Sequence, residues 1–212
     1  MLKSQALETV KSANYLGVTI SDDLTWNDQI SKTVAKGNRS LGFLRRNIKT
    51  KSEAVKTQAY TSFVRPTLEY AASVWAPGQK GLTDSIESVQ KRAARYACND
   101  FAPKHSVSGM LKRLGWESLE ERRNKLKIVL FFKIVYHLIE IPDNQLIRTD
   151  TPTRGHDKRF HKIHARTNYY KYSFFPSTVP LWNHLTQELV DIENIDNFRE
   201  ALSKHKLRHV KF

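Results

Sequence analysis

Four times along this chain a side-chain oxygen stands three places ahead of an acidic residue, just where an apolar run of helical period begins. The pairs are Thr25 with Asp28, Thr50 with Glu53, Asp84 with Glu87, and Ser118 with Glu121. Such a spacing satisfies two of the unpaired backbone N–H groups of a first helical turn, so it marks helix starts. The spacing predicts helices over 25–48, 54–64, 84–97 and 118–139. In the first, Trp26, Ile30, Val34, Leu41, Leu44 and Ile48 share one face. In the second the apolar face is Val55, Ala59 and Phe63, and Pro66 breaks or kinks it. In the third it is Ile86, Val89, Ala93 and Tyr96. The second half of the fourth is apolar nearly all round, as expected of a central core helix. Shorter helices are expected near 68–75, at 106–114 before Gly115, and at 179–185 and 196–204.

Only the N-terminus breaks this pattern. Leu16, Val18 and Ile20 alternate with Tyr15, Gly17 and Thr19, the period of a half-buried strand. Its expected partner is Ala6 to Val10, joined through residues 11–13. A lone two-stranded hairpin is marginal in water, so it is expected to lean on a further sheet, or to associate with itself through its exposed edges. Residues 142–177 show little periodicity. The expected fold is mainly α: a helical bundle with a short N-terminal β-hairpin and a long basic loop before two short closing helices. The expected units are 1–24, 25–141 and 142–212.

The chain has 212 residues, with 35 Lys and Arg against 21 Asp and Glu, a formal charge of +14 spread along the whole length. Such a surplus points to an acidic partner, most simply nucleic acid. Cys98 stands alone, which excludes an intramolecular disulfide and a cysteine-rich zinc knuckle and agrees with an intracellular setting. The start of the chain lacks the apolar run of a signal peptide. The most apolar stretch, 128–141, carries Lys133, His137 and Glu140 and is too short for a bilayer, so no membrane partner is expected.

Three basic groupings are candidates for nucleic-acid contact. Lys32, Lys36, Arg39 and Arg46 fall opposite the apolar face of helix 25–48. Charges every three to four residues can follow a phosphate backbone, although a solvated helix face gives the same stripe. Lys91, Arg92 and Arg95 form a second, shorter stripe. Between 148 and 171, Arg154, Lys158, Arg159, Lys162, Arg166 and Lys171 interleave with Phe160, Tyr169 and Tyr170. That mixture suits single-stranded nucleic acid, and equally a basic loop pinned to a core by its rings. His156, His161 and His164 lack the spacing of a metal site. No motif joins Cys98 to a histidine, so a nucleophile is not expected. The tryptophans read as core anchors.

Tyr15-Leu16-Gly17-Val18, a turn, then Leu24-x-Trp26-x-x-x-Ile30 resembles the last block of the reverse transcriptase of non-LTR (LINE-type) retrotransposons. The resemblance continues in order through the stretch 62–77, Val89-Gln90-Lys91-Arg92-Ala93, the stretch 114–123 and the stretch 174–183, and so covers almost the whole chain. The family often has a basic residue where Ser177 stands and a proline where Thr186 stands. The resemblance implies a primer grip at Tyr15, Leu16 and Gly17, a thumb helix at 25–48, and a template–primer duplex or element RNA as partner. It also implies a palm whose carboxylates hold Mg2+, and no motif places that palm here. Ile20-Ser21-Asp22-Asp23 imitates the palm's acidic pair, but it lacks the preceding aromatic and follows the Tyr-Leu-Gly block, where the family's pair precedes it. Helix capping is the expected role of both acids. The chain therefore reads as a partial copy with no catalytic residue and no cofactor of its own. Alternatives are a free-standing helical nucleic-acid-binding module and a protein-interaction domain for acidic proteins.

Overall fold

The computed structural model describes residues 9–142, 146–149 and 155–207. It is mainly helical, with one antiparallel hairpin ahead of a series of helices. The hairpin pairs β1 (Ser12–Tyr15) with β2 (Val18–Ser21), Tyr15 opposite Val18. The expected partner strand at 6–10 lies partly outside the described residues; the partner of β2 is β1, so the stretch read as one strand contains the turn. Leu16 and Gly17 both have positive φ, 48° and 78°. That is the mirror-image two-residue turn whose twist suits paired strands. Leucine is a poor residue there, which is why alternation hid the turn. Tyr70 compensates, its hydroxyl donating to the Leu16 carbonyl at 2.9 Å.

The expected inward face of the strand is also corrected. Leu16 is 75% and Ile20 41% exposed, while the neighbours Val18 and Thr19 are buried. Burial of Thr19 is possible because its N–H donates to Gln29 Oε1 at 2.8 Å and its hydroxyl accepts from Lys32 Nζ at 3.0 Å. Both partners lie on α1 (Asn27–Asn47), so the hairpin leans on a helix rather than a further sheet among the described residues.

Helix α1 buries Ile30, Leu41 and Leu44 together with Gly37, as its pattern requires. No side chain caps it, since the helix starts after Trp26. The Asp23 carboxylate instead accepts from the Thr25 N–H and hydroxyl, one turn earlier, and Asp22 donates its own N–H to Lys11 to close the hairpin. The capping role expected for both acids is corrected accordingly. Helix α2 (Glu53–Ala59) is capped by Ser52, not Thr50. It passes through a π-turn at Tyr60–Val64 into α3 (Arg65–Glu69). The wide turn falls where a regular helix would drive the Pro66 ring into the Ser62 carbonyl. Its buried residues are Lys56, Ala59, Tyr60, Val64 and Leu68, whereas Val55 and Phe63 are exposed. Of the face expected from Val55, Ala59 and Phe63, Ala59 is buried as expected, while the positions at Val55 and Phe63 pass to Lys56 and Val64.

Next come α4 (Ala72–Trp75), α5 (Lys80–Ala97), α6 (Val107–Arg113) and α7 (Leu119–Val135). Helix α5 begins ahead of Asp84, so that residue is not its cap. Ser118 does cap α7, accepting from the Glu121 N–H. After the middle of the chain come α8 (Asn168–Lys171), α9 (Phe174–Asn183), α10 (Gln187–Val190) and α11 (Ile195–Lys204). Helix α9 starts five residues before the expected 179, because Pro176 and Pro180 sit inside it.

Two apolar cores result. The first packs α1 through α5 around Leu68, Trp75, Ile86 and Val89, and takes Val18 from the hairpin and Leu119 from α7. The second packs Ile128, Phe131 and Phe132 of α7 against Val179, Trp182, Phe198 and Leu202. Helix α7 is common to both.

Candidate nucleic-acid interface

Helix α1 sets its charges by the same periodicity that buries its core. Lys32, Lys36, Arg39 and Arg46 are all exposed. At 1.5 Å per residue they lie about 6, 4.5 and 10 Å apart along the axis. Lys36, Arg39 and Arg46 make no hydrogen bond or ion pair with described residues, so their charge is presented to solvent. Lys32 differs. Its bond to Thr19 ties the stripe to the hairpin. Arg45, passed over in the sequence, is also exposed and lies over the Phe101 ring at 5.5 Å.

The hairpin meets this stripe where Thr19 of β2 accepts from Lys32, while its tip rests against Tyr70. Tyr15 is 67% exposed, and Leu16 more so. Gly17 faces the Tyr70 ring, whose nearest carbon would sit 3.4 Å from a Cβ added at Gly17. The tip therefore offers an exposed aromatic and apolar pair on a backbone braced from behind.

On α5, Lys91 and Arg92 are exposed, and Arg92 donates to the Ser88 hydroxyl within its own helix. Arg95 is only partly exposed because its guanidinium donates to the carbonyls of Ala102 and His105, which fastens the loop leading to α6. The second stripe thus reduces to two exposed positions, Lys91 and Arg92.

The run between 148 and 171 divides. Arg154 lies outside the described residues. Phe160 and His156 are buried, and the indole N–H of Trp182 donates to the Lys158 carbonyl at 2.7 Å. Asn183 binds Phe160 through both its N–H and its carbonyl. Lys158 is not an open cation: it donates to Tyr136 Oη and the Val190 carbonyl and lies 3.4 Å from Asp191. Contact with the Tyr136 hydroxyl pushes its ammonium above the ordinary lysine value. Arg159 is likewise engaged. Of the two readings of this run, the pinned loop describes the part around Phe160, whose ring is buried in the second core. Beyond it, Lys162, Arg166, Tyr169 and Tyr170 are exposed, and Lys171 lies over the Tyr172 ring at 5.5 Å.

Among the described residues no three His, Cys, Asp or Glu side chains converge as a metal site would require, and no helix is long and apolar enough to cross a membrane. His156 is buried with Nε2 against the Trp182 carbonyl at 3.0 Å, and burial pushes its pKa down. The Asp23 carboxyl is held below its usual value by the Thr25 backbone and hydroxyl.

Periodicity missed the buried cations of α7. Arg123 and Lys127 are 2% and 5% exposed. Their signal was a pair of cations four residues apart, in line with the buried positions Leu119, Ile128 and Phe131 of the same helix.

No protein-family model matches the chain, and no solved structure matches it. Over 112 residues, half of this chain, it is 35% identical to a retrovirus-related Pol polyprotein from the type-1 retrotransposable element R1 of Nasonia vitripennis. The matched stretch covers 33% of that polyprotein.

Proposed function

We infer, from the premise that this chain is related to a region of a non-LTR retrotransposon reverse transcriptase, that it holds nucleic acid without copying it. The observation that carries the reading is the α1 stripe: Lys36, Arg39 and Arg46 are exposed, without hydrogen-bond or ion-pair partners among the described residues, and along one helix face. A row of this kind can track a phosphate backbone, giving contacts that ignore sequence and weaken with salt. Tyr15, Leu16 and Gly17, joined to the stripe through Lys32 and Thr19, are placed to meet the end of a bound duplex as a primer grip would. Helix α1 then serves as the thumb face, with Lys91 and Arg92 as a lesser outer contact. Lys162, Arg166 and Lys171, with Tyr169 and Tyr170, supply a separate patch for a single-stranded portion or for element RNA. On this reading the units 1–24, 25–141 and 142–212 are a remnant primer grip, a thumb-like body and a C-terminal extension of a partial copy. Mg2+ chemistry belongs to a palm outside them.

The test is binding of a template–primer duplex across a salt series. The full chain should bind with a negative slope of log affinity against log salt. Lys36→Glu, Arg39→Glu and Arg46→Glu together should weaken binding and flatten that slope by roughly one per lost phosphate contact. Lys32 is left intact because it also braces the hairpin. Absence of binding to duplex, single-stranded DNA and RNA at low salt would refute the reading and favour an acidic protein partner.

A further inference from the structure

Helix α7 buries two cations that pair directly with no described carboxylate, although Glu87, Glu120 and Glu69 act on Arg123 from a distance. Arg123 and Lys127 lie one turn apart, both over nine-tenths buried. Neither lies within ion-pair distance of a carboxylate among the described residues, although other basic residues of the same helix do: Arg122 pairs with Glu69 and Lys125 with Glu117. Arg123 Nη1 has no hydrogen-bond partner among those residues. Lys127 Nζ spends one donor on Ser177 Oγ at 2.9 Å. Its other two N–H groups have no partner there, since an ammonium carries three.

Both side chains line one cavity of about 70 Å3, together with Asn124 of α7, Gly78 of the α4–α5 connection, and Tyr172 and Ser177 of the C-terminal part. Its wall is built by a close approach. A Cβ at Gly78 would fall 2.1 Å from the Tyr172 ring, so only glycine lets that ring close over the site. The space exceeds what one water needs, and its polar lining is rich in donors. The Ser177 hydroxyl proton is already given to the Ser173 carbonyl at 2.7 Å, so that oxygen serves as an acceptor for Lys127. Glu120 also borders the cavity but is exposed. Its carboxylate attracts Arg123 and opposes an anion in the cavity, an opposition that its exposure to solvent screens.

The two buried cations repel one another, and burial together with Arg123 pushes the Lys127 ammonium down to about 8. A bound anion would remove both penalties. Guanidinium and ammonium donors converging on one small cavity match a tetrahedral oxyanion with several acceptors.

We propose that Arg123 and Lys127 form a binding site for a single phosphate group, enclosed by Gly78 and Tyr172. The site is separate from the α1 stripe and does not depend on it. The phosphate comes either from solution as inorganic phosphate or from the terminal phosphate of a nucleotide chain.

The full chain is titrated with inorganic phosphate at constant ionic strength in chloride, followed by calorimetry and by NMR of the lysine ammonium and arginine side-chain signals. Expected are saturable binding of one phosphate, movement of the Lys127 and Arg123 signals, and at least a tenfold loss of affinity in Lys127→Met. A parallel titration compares a short oligonucleotide bearing a 5′-phosphate with the same oligonucleotide lacking it. If only the phosphorylated oligonucleotide moves the Lys127 signal, the source is a nucleotide terminus; if inorganic phosphate suffices, it is solution phosphate. The wild-type spectra decide the matter even if a variant fails to fold. Saturable shifts confined to exposed lysines, or no Lys127 response to either probe, would overturn the proposal.

Discussion

Replacing Lys127 by methionine should make the protein more stable, an unusual expectation for loss of a hydrogen-bonded side chain. The ammonium is 5% exposed, and burial with Arg123 one turn away lowers it from an ordinary 10.5 to about 8. At roughly 1.4 kcal/mol per pH unit, that displacement corresponds to about 3 kcal/mol of strain carried by the folded state at pH 7, where both folded and unfolded chains hold the proton. Methionine keeps the length and removes the charge. The lost bond to Ser177 costs about 1 kcal/mol, and the Ser177 hydroxyl stays bonded to Ser173. The net gain should be about 1 to 3 kcal/mol in phosphate-free chloride. The pH sign follows from the same numbers. Between about 8 and 10.5 the folded chain releases the Lys127 proton before the unfolded chain does, so the unfolded state binds more protons there and wild-type stability rises with pH. The relief is complete above 10.5 and is lost as pH falls through 8. Urea unfolding at pH 7 and pH 10, with equal slopes for both proteins, should show the variant ahead at pH 7 and the gap narrowing at pH 10. Other lysines titrate alike in both proteins and cancel. A variant less stable at pH 7, or a gap that does not change with pH, would refute the account of Lys127 as an uncompensated charge.

Three further outcomes test the packing. Gly37→Ala should destabilise by about 1 to 2 kcal/mol, because overpacking outweighs the gain in helix propensity: the new methyl would meet Leu68 Cδ2 at 2.7 Å. Thermal unfolding checks it. Leu16→Asn should stabilise by about 1 kcal/mol, since asparagine accepts the positive φ that leucine resists; an unchanged midpoint would deny strain at the turn. Tyr70→Phe should cost about 1 kcal/mol through its lost bond to the Leu16 carbonyl, and hydrogen exchange should rise selectively in residues 12–21.

Helix interiors were legible because burial repeats every three to four residues; Ile30, Leu41, Leu44, Ile86, Val89 and Ala93 all occupy the core. Helix starts were less so. Of four capping pairs only Ser118 with Glu121 works as a cap, because the others compete with local turns such as that of Asp23 with Thr25. The π-turn was invisible, since one extra residue in a turn leaves no compositional trace, and it falls where Val64 is buried in place of Phe63. Among the candidate contacts, the α1 stripe could be read from spacing alone. The fate of Lys158 and Arg95 could not, because their partners lie on other elements. The buried pair on α7 was masked by its charged neighbours Glu120, Glu121, Arg122 and Lys125, among which a cation is expected to face solvent.

One unbroken helix, α7, gives its first residue to one core and its last two turns to the other. The molecule consequently has no joint at that boundary. Unwinding α7 anywhere would strip Leu119 from one side and Phe131 and Phe132 from the other, so the two halves should melt in a single cooperative step. Any shortened version of the chain must keep α7 together with α9 to α11, or it will leave a wall of phenylalanine open to water.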